Sequence, residues 1–208
     1  MSRRGESRPE RVLNHSKRTI ERRILNSPTL SHIEIVDVGK DIPSIISHDE
    51  KLQKKRFLFV PDTKVETGWL IKSRGSTFLS LIKTDDPLYP QVFCELCNHD
   101  FIIKDTQRVM VGKNELGRPI YETITTEINV PSVSYTNVYS TLGNSTLSLP
   151  SGAMVLRIPF KPEYLDLIKK NDEYSMNTGT YIVTEVSRQY VINDEEGFLE
   201  ISLQRKVE

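Results

Sequence analysis

The stretch from Val65 to Ile103 restricts the fold of this chain more than any other part of the sequence, because it is a series of short β patterns separated by turns. Gly68 stands just before a strand pattern, and Arg74-Gly75 marks a hairpin turn, since glycine readily adopts a positive φ. A loop bounded by prolines follows, and the next strand pattern ends at Cys97. The stretch therefore predicts a β scaffold.

Strand patterns of the same kind continue towards the C-terminus and outnumber the helix patterns. Many short strands at close spacing, separated by glycine and proline turns, are typical of an all-β sandwich or barrel. Pro9 to Asn26 is the principal helix pattern, because its apolar residues fall loosely on one face and Pro28 follows it. We therefore predict a mainly β protein, a small β-sandwich or β-barrel, with a basic N-terminal arm or helix in residues 1–28 and a β-rich domain in residues 29–208.

Size, composition and cysteine content place the chain among ordinary globular proteins. Its 208 residues are 37% hydrophobic and 27% charged, which argues against wholesale disorder. No apolar run approaches the roughly 20 residues that span a bilayer, and the basic N-terminus lacks the apolar segment of a secretory signal. Two cysteines are too few for a disulfide framework. We therefore expect a protein that is assembled in a reducing cytosol and does not contact a membrane.

The formal net charge of zero conceals an uneven distribution of charge. Residues 1–25 contain eight basic and three acidic side chains, whereas residues 161–208 contain six basic and ten acidic ones. Such opposite ends attract each other between copies as readily as within one copy. The candidate interface residues in the basic end are Arg3, Arg4, Arg8, Arg11, Arg18 and Arg22. The alternative is a solvated helix at one end and an ordinary surface at the other.

A second candidate interface is the segment from Pro131 to Gly152, which lies in a run without charged residues from Ile128 to Leu156. The segment is rich in Ser, Thr, Asn and Tyr, and Tyr in particular is enriched at protein interfaces. Its length exceeds that of a usual connection in a compact domain. We therefore expect a long uncharged loop or hairpin that protrudes from the β body and contacts a partner through Tyr135 and Tyr139. A flexible loop is the alternative.

Motifs for catalysis or metal binding are missing from the sequence. Cys94 and Cys97 form a C-x-x-C pair, but a structural zinc site needs four ligands and the chain has no further cysteine. Residues three apart in a strand point to opposite faces, so these two thiols diverge. We expect both to be structural core residues, together with Trp69, Tyr181 and Phe198, and we expect no enzymatic activity, no metal and no cofactor.

Four sequence blocks, taken in order, carry a resemblance to a known family. The blocks are Val65–Ile71; Asp85–Asn98; Leu149–Gly152 followed by Val155–Phe160, Asn171–Asp172 and Tyr181–Val186; and Gly197–Leu203. They contain a glycine before a strand, a loop with a tyrosine before a strand that ends in Cys-Asn, a Leu-Pro-Ser-Gly turn before further strands, and a closing strand. In this order, over roughly residues 60–205, they resemble the head-closure or head–tail connector proteins of tailed bacteriophages.

The resemblance implies a structural virion protein without a reaction of its own. Proteins of this family form a ring between portal and tail, close the head and retain the packaged DNA. The implied partners are further copies of the chain in a homo-oligomeric ring, the portal or adaptor and tail proteins of the same virion, and double-stranded DNA in the channel. The implied location is the neck of a virion that is assembled in the host cytoplasm.

Two other functions remain open at the level of the sequence. One is a tail or baseplate component of the same kind of virion. The other is a small β-barrel that binds single-stranded nucleic acid. Such a barrel would carry basic and aromatic residues together on one face of a sheet, whereas the basic residues of this chain are concentrated in the N-terminal arm.

Overall fold

In a computed structural model the chain folds mainly into β-strands, and it divides into two compact units. The structure describes residues 7–36, 38–49, 54–139, 146–148, 152–176 and 179–206. The first unit comprises Met1–Cys97 and Tyr190–Phe198, and the second comprises Asn98–Gln189 and Leu199–Glu208. The predicted mainly β fold with an N-terminal helix is confirmed. The residues that we predicted as one β-rich domain, 29–208, are distributed over both units.

Two helices and fifteen strands make up the described part of the chain. The helices are α1 (Arg8–Leu25) and α2 (Pro162–Leu167). The first six strands are β1 (Leu30–Ile35), β2 (Lys40–Asp49), β3 (Lys54–Phe59), β4 (Leu70–Ser73), β5 (Ser76–Thr84) and β6 (Gln91–Leu96). They are followed by β7 (His99–Lys113), β8 (Pro119–Tyr135), β9 (Asn137–Tyr139), β10 (Thr146–Ser148) and β11 (Ala153–Pro159). The last four are β12 (Glu173–Met176), β13 (Gly179–Ser187), β14 (Val191–Ile192) and β15 (Glu196–Arg205).

Helix α1 lies where the sequence predicted a helix, at Pro9 to Asn26, and each boundary differs by one residue. Its start is fixed by a capping box. The backbone N–H of Ser7 donates to the Glu10 carboxylate at 2.6 Å, and the Ser7 hydroxyl accepts from the Glu10 N–H at 3.4 Å. Ile20 and Ile24 are buried, so the second half of the helix is anchored in the first unit.

Six strands of the first unit close into a barrel in the order β1-β2-β3-β6-β5-β4, and β4 pairs again with β1. Side chains alternate between the two faces of each strand, so one face of every strand can contribute to an apolar interior. Phe57 meets Phe78 edge to face, with 5.9 Å between the ring centroids. The buried apolar cluster consists of Ile33, Phe57, Phe59, Val65, Ile71, Phe78, Val92 and Cys94.

The hairpin turn predicted at Arg74-Gly75 is confirmed, because these two residues join β4 to β5. Their φ angles are 51° and 80°. A two-residue turn with positive φ at both positions matches the right-handed twist of the strands that it connects. The register of the hairpin is therefore set locally, from Ser73 opposite Ser76 to Leu70 opposite Leu79.

The segment that leads into β4 is held by close contact of backbone with backbone. The Gly68 N–H donates to the Ser80 carbonyl at 2.8 Å, and the Gly197 N–H donates to the Thr67 carbonyl at 3.1 Å. Gly68 has a φ of 84°, and a Cβ added there would lie 1.7 Å from the carbonyl oxygen of Gly197. Only glycine fits at this position, which gives a physical reason for the glycine before the strand in the first sequence block.

The second unit is built on a sheet with the strand order β12-β13-β15-β11-β8-β7. The Phe101 ring on β7 contacts the Tyr174 ring on β12, with 4.5 Å between the centroids. Arg157 on β11 forms a half-buried ion pair with Glu200 on β15, at 2.9 Å. The largest side chains of the unit that are fully buried are Phe101, Ile103, Leu156, Ile158, Leu199 and Ile201.

The predicted start of the uncharged loop at Pro131 is corrected by the structure, because β8 continues to Tyr135. Ser132 and Val133 are buried, and the Ser132 hydroxyl donates to the His99 carbonyl at 2.9 Å, which satisfies the buried polar group. Strands β9 and β10 then pair with each other, in agreement with the expected hairpin. Residues 140–145 and 149–151 of the predicted loop lie outside the described residues.

We predict that Gly68→Ala destabilises the first unit by about 3 kcal/mol or more, because the methyl group combines a positive φ with a collision against the Gly197 carbonyl. The matched control is Gly75→Ala, where φ is also positive but no atom lies within 4 Å of the added Cβ. That variant should lose only about 1 kcal/mol. Urea unfolding followed by Trp69 fluorescence measures both losses. Equal losses in the two variants would contradict the backbone contact.

We also predict that the second unit loses stability as the pH rises from about 10 to about 12. Burial, with a contribution from the Asp172 carboxylate, raises the pKa of Tyr174 from 10.0 to about 12. The unfolded chain therefore releases the phenolic proton at lower pH than the folded chain, and deprotonation favours unfolding. Tyr174→Phe keeps the ring that contacts Phe101 but has no proton to lose.

Urea midpoints near pH 8 and near pH 11 test this difference. The native chain should lose more stability between the two pH values than the Tyr174→Phe variant does. The same loss in both proteins would show that burial of the Tyr174 hydroxyl does not contribute to the alkaline sensitivity.

Candidate interaction surface

Strands β7 and β8 continue beyond the core of the second unit as a two-stranded ribbon, which we call the arm and define as residues 104–127. The register places Lys104 opposite Glu127 at the base and Lys113 opposite Pro119 near the tip, with a bulge between Met110 and Gly112. Each strand contributes about ten residues, so at roughly 3.3 Å per residue the arm is about 30 Å long.

The tip of the arm is an ordered turn. The Asn114 side-chain oxygen accepts hydrogen bonds from the backbone N–H groups of Leu116 at 3.0 Å and Arg118 at 2.9 Å. The Asn114 N–H donates to the Arg118 carbonyl at 2.8 Å, and Gly117 has a φ of 74°. Asparagine and glycine at these positions stabilise the reversal of the chain, so the two strands are held in register at their far end.

Both faces of the arm are exposed. Apart from Asp105 and Gly112, which are half-buried, every residue from 104 to 127 is exposed. Seven large apolar side chains are among them, and the Leu116 side chain at the tip is 79% exposed. These seven are Val109, Met110, Val111, Leu116, Ile120, Tyr121 and Ile124. Exposed apolar side chains that cluster in this way mark a surface for association.

One face of the arm is the continuation of the core face of the sheet. Phe101 and Ile103 on β7 are buried, and Val109 has the same strand parity further out. Across the ladder, Val130 on β8 lies opposite Phe101 and is buried, while Ile124 lies opposite Gln107 and is exposed. Asp105, Gln107 and Thr126 also lie on this face, so the core face continues into solvent as a mixture of polar side chains and isolated apolar ones.

The opposite face of the arm is more polar and carries its own cross-strand contacts. The Arg108 guanidinium lies over the Tyr121 ring, 4.6 Å from the centroid. The hydroxyl groups of Thr106 and Thr125 are 3.3 Å apart, one donating to the other. Contacts of this kind stabilise a ribbon only modestly. An isolated two-stranded ribbon is marginally stable in water, so the arm gains most from a further layer or strand.

Helix α1 supplies a second exposed surface, in the first unit. Arg8, Arg11, Arg18 and Arg22 are all exposed. Lys17 is held by an ion pair with Asp62, at 2.6 Å. Arg3 and Arg4 lie outside the described residues. The described helix residues carry six basic and two acidic side chains, so α1 presents a positive surface.

Of the two predicted interface tyrosines, the structure describes the side chain of Tyr135 only. Tyr135 is half-buried at the end of β8, where the Arg157 guanidinium stacks on its ring at 4.8 Å and donates to its hydroxyl at 3.3 Å. It therefore belongs to the sheet of the second unit rather than to a projecting loop. Tyr139 ends β9, and its side chain lies outside the described residues. Tyr135 and the α1 arginines belong to different units.

The predicted core residues are buried to different degrees. Cys94, Tyr181 and Phe198 are buried, whereas Trp69 and Cys97 are half-buried. Neither Cys94 nor Cys97 forms a disulfide bond within the described residues, and burial raises the pKa of Cys94 well above its usual range. Among the described residues, no group of three or more His, Cys, Asp or Glu side chains is arranged to hold a metal ion.

The Trp69 indole N–H donates to the Glu66 carboxylate at 3.1 Å. Glu66 also forms an ion pair with Lys64 at 2.6 Å, and this contact lowers the pKa of the Glu66 carboxyl. Trp69 packs against the barrel cluster, with 6.5 Å between its ring centroid and that of Phe59. These contacts fix the segment before β4 as part of the scaffold.

Comparisons of the chain with protein-family models, with curated proteins and with solved structures find no match. Within the described ranges, neither helix combines the length and the apolar character that a membrane crossing requires. Function is therefore inferred from the arm, from α1 and from the four sequence blocks.

In the sequence, Arg108–Val111 and Ile120–Val130 are strand patterns separated by Gly112 to Gly117, which predicts a hairpin but not an exposed arm. A signal was present, because polar residues occupy both strand parities from Lys104 to Arg108 and from Glu122 to Glu127. A strand with one face in a core would show polar residues mainly at alternate positions. Polar residues at both parities indicate a ribbon that is solvated on both faces.

Proposed function

We propose that the chain is a structural virion protein of a phage neck, which forms a ring between portal and tail, closes the head and retains the packaged DNA. The observation that carries the proposal is the arm, a ribbon of 24 residues (104–127) that leaves the core of the second unit with both faces exposed. Ribbons of this kind are stabilised when another strand or layer covers them. The arm is therefore a surface for assembly.

The distribution of exposed apolar residues supports an assembly role. Seven of the seventeen large apolar residues that are exposed in the described chain lie on the arm. The arm is a small part of the chain, so this surface is far richer in exposed apolar groups than the rest. Burial of these side chains against a partner provides the favourable free energy of association.

The basic surface of α1 supports contact with an acidic partner. Arg8, Arg11, Arg18 and Arg22 are exposed on one short helix whose second half is anchored through Ile20 and Ile24. A fixed positive surface attracts an anionic one and accelerates association. The proposed partners are the portal or adaptor, the tail proteins of the same virion and the double-stranded DNA of the channel.

We predict that shortening the arm abolishes attachment of tails but leaves the fold intact. Lys104 lies opposite Glu127, so an Asn-Gly turn can replace residues 105–126 without a change in register. The buried residues at the base, Phe101, Ile103 and Val130, are retained. In the phage that encodes the chain, this variant should give heads that lack tails and have lost their DNA, because the ring that closes the head does not form, and electron microscopy of the lysate measures their fraction.

The matched control is the double variant Ile82→Thr and Phe93→Thr, which removes exposed apolar surface from the barrel while it leaves the arm unchanged. The two residues lie opposite each other on β5 and β6. The control should attach tails at the native level. Normal attachment of tails by the arm-shortened variant, or localisation of the native chain to the tail or baseplate by immunogold labelling, would contradict the proposal.

A further inference from the structure

The arm has two strand edges without partners in the described part of the chain. β7 is the last strand of its sheet, so its outer edge pairs with no other strand. β8 pairs with β11 only at Val133, Ser134 and Tyr135, and the outer edge of β8 from Pro119 to Ser132 has no strand beside it. Free N–H and C=O groups along such edges form a template for the addition of another strand.

The two edges carry opposite charges. Within the arm, β7 has three basic side chains, Lys104, Arg108 and Lys113, and one acidic side chain, Asp105. β8 has two acidic side chains, Glu122 and Glu127, and no basic one between residues 119 and 127. One edge is therefore net positive and the other net negative. A surface of this kind is complementary to the opposite edge of a second copy rather than to its own edge.

We propose that neighbouring copies of the chain join by strand addition, with the β7 edge of one arm pairing with the β8 edge of the next arm. The inference deepens the proposed ring and rests on it. When the arms of a ring lie side by side and point the same way, β7 of one copy runs antiparallel to β8 of its neighbour. The result is one antiparallel sheet that continues from copy to copy.

A second copy fits this surface better than an unrelated partner for two reasons. The contact joins two different edges of the same ribbon, so it is heterologous and repeats around a ring until the ring closes. In an arrangement without stagger, Lys104 of one copy lies across from Glu127 of the next, as it does within one copy. Opposite charges across a ladder stabilise it, whereas pairing of β7 with β7 would bring basic residues together.

Strand addition also reduces the exposed apolar surface of the arm. All copies have the same orientation, so Val109, Ile120 and Ile124 of every arm lie on the same face of the continuous sheet. Side-by-side packing covers part of the apolar surface that is exposed in a single chain. Each arm gains the neighbouring strands that a two-stranded ribbon lacks.

Disulfide crosslinking between two variants, each with one added cysteine, tests the proposal. Thr106→Cys places a thiol on β7, and Thr125→Cys places one on β8, at positions that are directly opposite within one copy and are exposed. The two purified full-length variants are mixed and oxidised with oxidised glutathione. We expect a disulfide-linked dimer in the mixture at a yield at least about tenfold above that of either variant alone, since the disulfide accumulates even from a sparsely populated complex.

Two controls define the background. The native chain, in which Cys94 is buried and Cys97 is half-buried, measures crosslinking by the natural thiols. A mixture of Leu116→Cys with Thr125→Cys measures random collisions, because Leu116 is the most exposed of the exposed apolar side chains and lies at the tip rather than on an edge. Both should give low yields.

Several results would overturn the proposal. Dimers of Thr106→Cys alone at the same yield as the mixture would indicate pairing of β7 with β7. If the Thr106→Cys and Thr125→Cys mixture gave the same dimer yield as the Leu116→Cys control mixture, or if no mixture gave a dimer, the two edges would not meet between copies. The edges would then be a binding surface for a different protein. Tail attachment that depends on the arm without crosslinking would retain the proposed function and reject strand addition. Crosslinking in solution, together with absence of the chain from the neck of the virion, would retain strand addition and reject the proposed function.

Discussion

The backbone ladder between β7 and β8 is the interaction on which the remaining surfaces of the second unit depend. Its register runs from His99 opposite Ser132, in the sheet, to Lys113 opposite Pro119, near the tip. The lower part is buried under Phe101, Ile103 and Val130, which fixes the register because a slip by one residue would turn these side chains to the other face. The upper part of the ladder, which is the arm, keeps the same register although it has no apolar core of its own.

The arm can be both ordered and exposed because different parts of the ladder fix its structure. Its base is anchored by buried apolar residues, its tip by the Asn114 turn, and the ladder joins the two. The arm therefore loses little conformational entropy when a partner binds, since its strands are already paired. A prearranged ribbon with free edges is well suited to strand addition, whereas a flexible loop of equal length would have to be ordered first.

The local parts of the fold could be predicted from the sequence. Arg74-Gly75 specifies a turn by itself, and α1 follows from Pro9, its apolar face and Pro28. The parts that depend on distant residues could not. The charged composition of Lys51 to Arg56 predicts a solvated connection, but Lys54 to Arg56 belong to β3, because Lys54 pairs across the ladder with Glu95 and its ammonium contacts that carboxylate at 2.7 Å.

The candidate surfaces likewise include features that the local sequence predicts and features that depend on distant residues. The exposed arginines of α1 were predicted, since charge is a property of the sequence itself. The uncharged segment was predicted to begin at Pro131, but burial of Ser132 and Val133 and pairing with β11 extend β8 to Tyr135. The arm was predicted only as a hairpin. Polar residues at both strand parities were a local signal of its exposure, whereas the point at which β11 stops pairing with β8 depends on residues that are distant in the sequence.

Hydrogen exchange of the native chain, followed residue by residue at low and at high protein concentration, tests most directly whether the arm is an assembly surface. At low concentration the amides of residues 106–126 should exchange on the order of 100-fold faster than those of Phe101, Ile103 and Val130, because the ribbon has water on both faces. In the assembled state the arm amides should slow towards the rates of the core. Arm amides that exchange rapidly in both states, while protection on assembly appears on α1 or the barrel, would contradict the account.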